Sequence, residues 1–335
     1  MRIGAIQTLK FLAFLAVGIL LLWLAFSKVD TKKFIDDLRG ANYYWLILSV
    51  MFGFFAFLSR ARRWILLIHP LGYKPSLKNA FYSLMTGYLA NLALPRMGEI
   101  TRCVALGKKG KIPVDQLIGT VVVERSFDFV SLMILMVILI FTSGSQVSLF
   151  LKNSIQVPIQ HLFGETWIIW LIFIIILFLG VTLFLLIRYK KSLRKIRFFS
   201  KMFDAGRGII NGLKTFTNME KKWEFAFHTF FIWFNYALMT WVVFFSLEST
   251  SFLTFNDSLF ILVIGGLGMS APVSGGIGAF HYIVQQGLYM VKGIPLEDGF
   301  AYATLTHESQ LIFVVITGAI SFFIIFRKHP KDEIS

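Results

Sequence analysis

The feature that most constrains this chain is a series of long, nearly uninterrupted apolar runs. They occupy residues 9–26, 45–59, 117–141, 167–187, 225–247 and 301–326. An apolar helix needs about 20 residues to cross the ~30 Å hydrocarbon core of a bilayer, and several runs reach that length. A transmembrane β-barrel would instead show strand-length segments of alternating polarity. The sequence therefore predicts an all-α, polytopic membrane protein with about six spanning helices, embedded in a bilayer.

The distribution of charge agrees with this class and indicates an orientation. Charged residues make up 15% of the chain, against roughly 25% in soluble domains, and the mean hydropathy is +0.71. Lys and Arg are concentrated at 60–78, 108–111, 188–222 and 327–331, whereas 142–166 and 248–256 carry almost none. Because cytoplasmic loops carry an excess of Lys and Arg, both termini are predicted to be cytoplasmic. The net charge of +15 is thereby explained without a nucleic-acid partner.

Two further apolar segments, 79–107 and 257–291, are too broken to be ordinary spans. Pro95 and Gly98 interrupt the first, and the second contains Ala-Pro-Val-Ser-Gly-Gly-Ile-Gly at 271–278. Broken helices at membrane depth are tolerated where protein or a water-filled cavity surrounds them. The flanking charges place both ends of the first segment inside and both ends of the second outside. We therefore predict two re-entrant helical hairpins, giving eight apolar segments in total; eight plain spans are the alternative.

The order helix, helix, hairpin, helix occurs twice, with hairpins that enter from opposite sides, and this predicts an inverted repeat. Residues 93–99 align with 270–276 at an offset of 177, and 112–115 align with 294–297 at an offset of 182. Interrupted helices in corresponding places of two halves indicate a transport site near the bilayer midplane. The predicted division is a first repeat at 1–141, an outer loop at 142–166, a second repeat at 167–326 and an inner tail at 327–335.

Charged residues and one asparagine inside the apolar segments of the first half are candidates for a transport site. They are Asn91, Arg96, Glu99 and Arg102 around the first break, and Glu124, Arg125 and Asp128 within the third span. Ionisable groups inside a membrane are costly and mark functional sites or buried pairs. A guanidinium offers a fork of donors that suits phosphate, so the arginines are expected to hold a phosphate while the carboxylates balance charge or couple protons. Topology anchors at the interface and an ion-pair network that fixes helix packing are the alternatives.

The candidates in the second half are less charged. They are Ser274, Gly275, Gly276, Gly278, His281, His307 and Glu308. Glycines before a half-helix leave amides free for an anion, although small residues also serve tight helix packing. The two histidines are expected to make structural hydrogen bonds, and no metal is predicted. With a single cysteine, Cys103, and no nucleotide-binding motif, the sequence predicts no intramolecular disulfide and no cofactor.

Several of these motifs, taken together, resemble the lysylphosphatidylglycerol synthase transmembrane-region family. They are Arg62-Arg63-Trp64, Leu94-Pro95-Arg96-Met97-Gly98-Glu99 followed by Arg102, Val123-Glu124-Arg125 with Asp128, and the stretch 272–280. The resemblance implies a flippase-like plasma-membrane protein that moves a lipid or polyprenyl-linked headgroup between leaflets. His281 stands where an acidic residue is expected and His307 where arginine is frequent. The aminoacyl-transferase domain of the bifunctional members is absent from this sequence, so no enzyme activity is expected.

Three functional hypotheses follow. The first is a flippase for an anionic or phosphate-bearing lipid. The second is a scaffold or regulator that recruits a separate lipid-modifying enzyme through the basic, aromatic-rich segment 189–223, which is typical of an amphipathic helix on the inner surface. The third is an intramembrane transferase with Glu124 or His307 as base. A homo-oligomer is compatible with each of them.

Overall fold

The apolar runs form helices in the computed structural model, which describes residues 5–27, 29–94, 96–142, 188, 215–217, 219–271 and 273–327, with side chains from residue 16 onward. These residues contain ten α-helices and no strand. The helices are α1 (Ala5–Phe26), α2 (Thr31–Gly40), α3 (Tyr44–Ile68), α4 (Leu77–Ala93), α5 (Gly98–Gly110), α6 (Val114–Thr142), α7 (Lys222–Val243), α8 (Phe255–Met269), α9 (Ala279–Lys292) and α10 (Leu296–Phe326). The predicted all-α class is confirmed.

Four helical stretches of the described residues are long and apolar enough to span a membrane. They are Tyr44–Leu71, Val114–Thr142, Lys222–Ser246 and Leu296–Phe326. On α10, Ile312, Ile316 and Ile320 are all more than half exposed and, being four residues apart, form one apolar outer face. Such a face suits lipid rather than water. The first predicted span, 9–26, lies within α1, whereas the predicted span 167–187 falls outside the described residues, as does nearly all of the basic segment 189–223.

The second span is longer than predicted, and this changes the role of two arginines. The apolar run ends at Ser59, but α3 continues to Ile68. Arg60 and Arg63, which the charge pattern assigned to an inner loop, therefore lie inside the helix and are buried. The helix continues through them because carboxylates on a neighbouring helix compensate their charge, as described below.

Both predicted hairpins are present as pairs of short helices. The first consists of α4 and α5, with 17 and 13 residues, and the second of α8 and α9, with 15 and 14 residues. None of these helices reaches the ~20 residues of a full span. Within the first hairpin, a Cβ on Gly87 would lie 2.7 Å from the Gly98 carbonyl oxygen, so only a glycine permits this approach of the two backbones.

The helix contacts have the same pattern in the two halves. Helix α3 packs on α4, α4 on α5 and α5 on α6; likewise α7 packs on α8, α8 on α9 and α9 on α10. Between the halves, α4 packs on α10, α8 packs on α6, and α3 packs along α7. A twofold rotation that exchanges α3–α6 with α7–α10 would convert the α4–α10 contact into the α8–α6 contact, as these pairs require. The division of the chain into repeats at 1–141 and 167–326 remains a prediction.

The polar helix α2 was not predicted, because its ten residues are far from the length and hydropathy of a span. Asp30 caps its start, and the carboxylate accepts a hydrogen bond from the Lys32 amide at 2.9 Å. The helix packs on the beginning of α10, where the Phe34 and Phe300 ring centroids are 5.2 Å apart and Lys33 Nζ lies 2.7 Å from Asp298 Oδ1.

We expect the packing of α2 on α10 to weaken as the pH rises through 6. Desolvation, with the neighbouring Asp298 carboxyl, raises the pKa of Asp37 from its ordinary value of 3.8 to about 6. A carboxyl whose pKa is raised by folding binds more protons in the folded state, so stability falls as pH rises between the two values. Amide hydrogen exchange in α2, corrected for intrinsic rates, should be up to about tenfold faster at pH 7.5 than at pH 5, allowing for solvent screening.

The substitution Asp37→Asn should remove this pH dependence and leave exchange slow at both pH values. Asp36→Asn, at the exposed neighbouring position, should retain it. An equal pH dependence in the wild type and in Asp37→Asn would contradict the assignment to Asp37.

Candidate functional site

Four charged residues of α3 and α6 form a buried network in the membrane-spanning part of the protein. Arg60 and Arg63 are three residues apart on α3, and Glu124 and Asp128 are four apart on α6, so each pair lies on one helix face. Arg60 Nη2 is 2.9 Å from Glu124 Oε1, and Arg63 Nη2 is 2.6 Å from Asp128 Oδ1. Arg60 also pairs with Asp128. The side chains of Arg63 and Glu124 have no exposed surface.

Arg102 joins this network from α5 of the first hairpin. Its Nη1 lies 3.1 Å from Glu124 Oε2, and its guanidinium carbon lies 4.8 Å from the ring centroid of Trp64. The Trp64 indole is itself fixed, because Nε1 donates a hydrogen bond to Thr120 Oγ1 at 2.9 Å. Arg102 is 2% exposed, which places it inside the protein. The hairpin is thus attached to the two long helices by an ion pair and a cation–π contact.

Arg125 and Glu99 form the accessible edge of the network. Arg125 Nη2 lies 3.4 Å from Glu99 Oε1, and Nη1 lies 3.4 Å from Asp128 Oδ2. Their side chains are 40% and 33% exposed, in contrast to the buried members. We call the whole set the arginine network; it consists of Arg60, Arg63, Arg102 and Arg125 with Glu99, Glu124 and Asp128. Four guanidinium groups face three carboxylates, which leaves one net positive charge.

An apolar groove of about 550 Å³ runs between α5 and α6 beside this edge. Its walls are Ile100, Ile118, Val121, Val122, Ser126, Phe129 and Val130. Among the described residues that line the groove, Glu99 and Arg125 are the charged ones. Arg125 is eleven residues into α6, which is about 16 Å along the helix axis from Val114. The groove therefore combines an apolar surface with a charged pair well inside α6.

The tips of the two hairpins meet, and Arg96 takes part in this contact. Its Nη2 donates a hydrogen bond to the Ser270 carbonyl at 2.9 Å, and its backbone adopts a φ of 63°. Asn91 closes the turn of the first hairpin, because its side-chain oxygen accepts a hydrogen bond from the Gly98 amide at 2.6 Å. The structure thus places Arg96 and Asn91 in the hairpin contact and turn, while Arg102, Glu124, Arg125 and Asp128 come together in the arginine network.

The glycines of the second hairpin permit the backbone conformation of its turn. Gly275, Gly276 and Gly278 have φ values of 62°, 78° and 83°, a region that side chains with a Cβ rarely adopt. A Cβ on Gly278 would also lie 2.7 Å from the Leu22 amide of α1, so the turn packs directly on that helix. Ser274 is buried, and its hydroxyl has no hydrogen-bond partner among the described residues.

Beside this turn, two histidines and a carboxylate come together. His307 Nδ1 lies 3.0 Å from Glu308 Oε1, and its Nε2 lies 2.8 Å from the Gly275 carbonyl oxygen. His281 Nε2 lies 3.6 Å from the same Glu308 oxygen, and the two imidazole centroids are 5.0 Å apart. Both histidines are buried. Sequence reasoning treated them as separate structural residues, and the contact depends on the packing of α9 on α10.

Arg60 and Arg63 are the network members that sequence reasoning missed. A signal was present, because two carboxylates four residues apart on an apolar helix require cations on one face of a partner helix. Arg60 and Arg63, three apart at the end of the second apolar run, meet that requirement. They were instead counted with the basic loop residues, since nothing local distinguishes a helical arginine from one in a loop.

These features define a multi-pass α-helical membrane protein with two broken hairpins and a charged network inside its membrane-spanning part. The chain belongs to the family described as "Lysylphosphatidylglycerol synthase TM region", which it matches over residues 11–318. Two relatives from Methanocaldococcus jannaschii are similar to it. The "UPF0104 membrane protein MJ1078" is 26% identical over 255 residues, covering 73% of this chain and 99% of the relative. The "UPF0104 membrane protein MJ1595" is 25% identical over 346 residues, with 98% of each chain covered. No solved structure matches this chain.

Proposed function

We propose that this protein is a flippase that moves an anionic or phosphate-bearing lipid between the leaflets of a plasma membrane, with both termini on the cytoplasmic side. The single observation that carries the proposal is that the arginine network, with one net positive charge in total, has an accessible edge beside an apolar groove. A buried or half-buried excess charge in a membrane is costly without a counter-ion. A lipid phosphate is the counter-ion that a bilayer supplies in abundance.

In this proposal, Arg125 contacts the phosphate. Its guanidinium is the most exposed of the four in the network, and Glu99 and Asp128 hold it by contacts of 3.4 Å that leave donors available. A planar guanidinium can donate two parallel hydrogen bonds to phosphate oxygens. The remaining arginines are enclosed by carboxylates and Trp64, and their part is to hold Arg125 and α5 in position.

The groove between α5 and α6 would accommodate the first part of an acyl or prenyl chain. Its walls are aliphatic and aromatic, and it opens outward beside Phe129 and Val130, which are more than half exposed. The lipid could thus place its headgroup at Arg125 while its tails remain in the bilayer. Movement of the headgroup across the membrane would require the hairpin tips, joined by the Arg96–Ser270 hydrogen bond, to separate or slide.

The scaffold hypothesis depends on residues 189–223, nearly all of which lie outside the described residues, while the arginine network favours transport. A direct test is headgroup accessibility in proteoliposomes. The full chain is reconstituted with labelled phosphatidylglycerol, aminoacyl-phosphatidylglycerol, polyprenyl phosphate or, as the zwitterionic comparison, phosphatidylcholine, and outer-leaflet quenching is followed with and without a pH gradient. Faster equilibration of any of the first three lipids than of phosphatidylcholine would support the proposal. Rates equal to those of empty liposomes for all four lipids, with folded protein, would favour a scaffold.

Filling the groove should slow transport without unfolding the protein. Val122 lines the groove, whereas Ile138 lies on α6 about two turns beyond Val130, the last groove residue, and both Val122 and Ile138 are 41% exposed. We expect Val122→Trp to slow equilibration of the transported lipid several-fold, because the indole occupies the space of a lipid chain. Ile138→Trp is the matched control and should transport at the wild-type rate. Equal rates for the two variants would show that the groove is not on the lipid path.

A further inference from the structure

The cluster of His281, His307 and Glu308 brings two imidazole nitrogens close to one carboxylate oxygen, an arrangement that a positive charge, either a proton or a metal ion, would stabilise. The Gly275 carbonyl oxygen can only accept a hydrogen bond, so His307 Nε2, 2.8 Å away, carries the proton. In the neutral ring, Nδ1 then has a lone pair, and it lies 3.0 Å from the Glu308 carboxylate oxygen. His281 Nε2 approaches the same oxygen to 3.6 Å. A cation among these three atoms would remove the repulsion.

The surroundings of His307 match those of a metal-ligating histidine. Such histidines usually donate the second ring N–H to a carboxylate or a backbone carbonyl, which fixes the tautomer and the ring orientation. Here the acceptor is the Gly275 carbonyl oxygen, which lies beside α10 in a turn where Gly275 adopts a φ of 62°. The three donor atoms all lie within 4.8 Å of one another, which small shifts would bring to metal–ligand distances of about 2.0–2.2 Å.

The comparison of the two halves relates His307 to a positively charged residue of the first half. Helices α6 and α10 begin at Val114 and Leu296, 182 residues apart, and the same offset relates Arg125 to His307. Counted back from the ends of α5 and α9, Glu99 corresponds to His281 at this same offset, whereas the offset of 177 that fits residues 93–99 pairs Glu99 with Gly276 of the turn. The first half thus has a permanently charged pair at its accessible edge, where the second half has two imidazoles.

We propose that His281 Nε2, His307 Nδ1 and the Glu308 carboxylate bind a divalent transition metal of the zinc class. Two histidines and one carboxylate are a recognised ligand set for Zn²⁺ sites that keep a fourth position open. Glu308 is the exposed member, with 40% of its side chain accessible, so the open position faces away from the protein core. With the metal bound, the cluster carries one net positive charge, the same as the arginine network.

This site deepens the proposed function. The role given to the metal in lipid transport rests on that function, whereas metal binding does not. A metal with an open position could coordinate a phosphate oxygen, and the second half would then present an anion-binding group corresponding to Arg125 of the first half. Metal binding itself is independent of lipid transport, and the two can be tested apart.

The experiment is a titration of the purified, chelator-treated full chain in detergent with Co²⁺ alone, followed by the visible absorption of the ion and by competition with Zn²⁺. We expect one Co²⁺ per chain, with a spectrum of low coordination number and nitrogen ligands. His281→Ala and Glu308→Gln should weaken binding at least ~10–100-fold, the loss that removal of even a hydrogen-bond partner of a ligand causes. His69→Gln, at a histidine outside the cluster, is the matched control and should bind as the wild type does.

His307→Arg is a second variant that retains a positive charge at this position, as at Arg125, and it should be folded but unable to bind Co²⁺. Binding that is unchanged in His281→Ala, Glu308→Gln and His307→Arg would overturn the proposal. So would the absence of stoichiometric Co²⁺ binding by folded wild-type protein, including the case in which the cluster takes up only protons. Co²⁺ binding without lipid movement would instead reject the flippase function and leave the metal site standing.

Discussion

Replacing Arg63 by glutamine is expected to destabilise the protein by about 3–5 kcal/mol, the cost of removing one partner from a buried ion pair. Arg63 has no exposed side-chain surface and approaches both Asp128 and Glu124, at 2.6 and 3.4 Å. Glutamine would leave these two carboxylates without one of their compensating charges in a largely buried part of the protein. The measurement is thermal or denaturant unfolding of the purified protein in detergent, with size exclusion to follow aggregation.

Arg62→Gln is the matched control one residue away. Arg62 pairs with Glu224 of α7, with Nη2 to Oε1 at 2.5 Å, but the two side chains are 33% and 29% exposed. A partly solvated pair of this kind contributes about 1 kcal/mol or less. Equal destabilisation by Arg62→Gln and Arg63→Gln would show that burial in the network does not set the energy of these ion pairs.

Replacing Arg125 by glutamine is expected to slow lipid equilibration by roughly 10–100-fold while the protein stays folded. A hydrogen bond to a charged group contributes about 1.5–3 kcal/mol, and each 1.4 kcal/mol corresponds to a factor of ten. The arginine is partly exposed and touches the network only at its edge, so its loss disturbs packing little. The measurement is the quenching rate in proteoliposomes that contain the lipid selected from the panel.

Two variants make the result specific to the guanidinium. Arg125→Lys keeps the charge but loses the planar fork of donors, so an intermediate rate is expected. Ser126→Ala, at the neighbouring groove residue, removes only a hydroxyl that donates to the Val122 carbonyl at 2.9 Å, and it should transport as the wild type does. A wild-type rate in Arg125→Gln would remove the phosphate-binding role of Arg125 from the proposed function.

The arginine network explains how so many charges can lie within a membrane-spanning protein. Each of the three buried arginines faces at least one carboxylate within 3.4 Å, and Arg102 also stacks on Trp64. Such compensation holds α3, α5 and α6 in one arrangement, because a shift of any helix would separate charges where solvent cannot replace the lost partner. In the proposed function, the accessible edge would exchange a protein carboxylate for a ligand phosphate while the enclosed part stays in place.

The sequence by itself determined the class of the protein, the places of four spans and the two broken hairpins. These are local properties. The length of an apolar run indicates whether a helix can cross the hydrocarbon core, and proline and glycine indicate where the helix breaks. It also identified Glu124, Arg125 and Asp128 as unusual, since charge inside an apolar helix is visible without any partner. The end of α3 was placed at Ser59 and not at Ile68, because a run of arginines resembles a loop when its partners are unknown.

Only the tertiary structure decided which charged and polar groups meet. Arg60 and Glu124 are 64 positions apart in the chain, and His307 and Gly275 are 32 apart, so no spacing rule within one helix relates them. Their contacts follow from the packing of α3 on α6 and of α10 beside the turn of the second hairpin. The physical reason is that the energy of a buried charge depends on what lies across the helix interface, and apolar helices can pack in many registers that a single sequence does not distinguish.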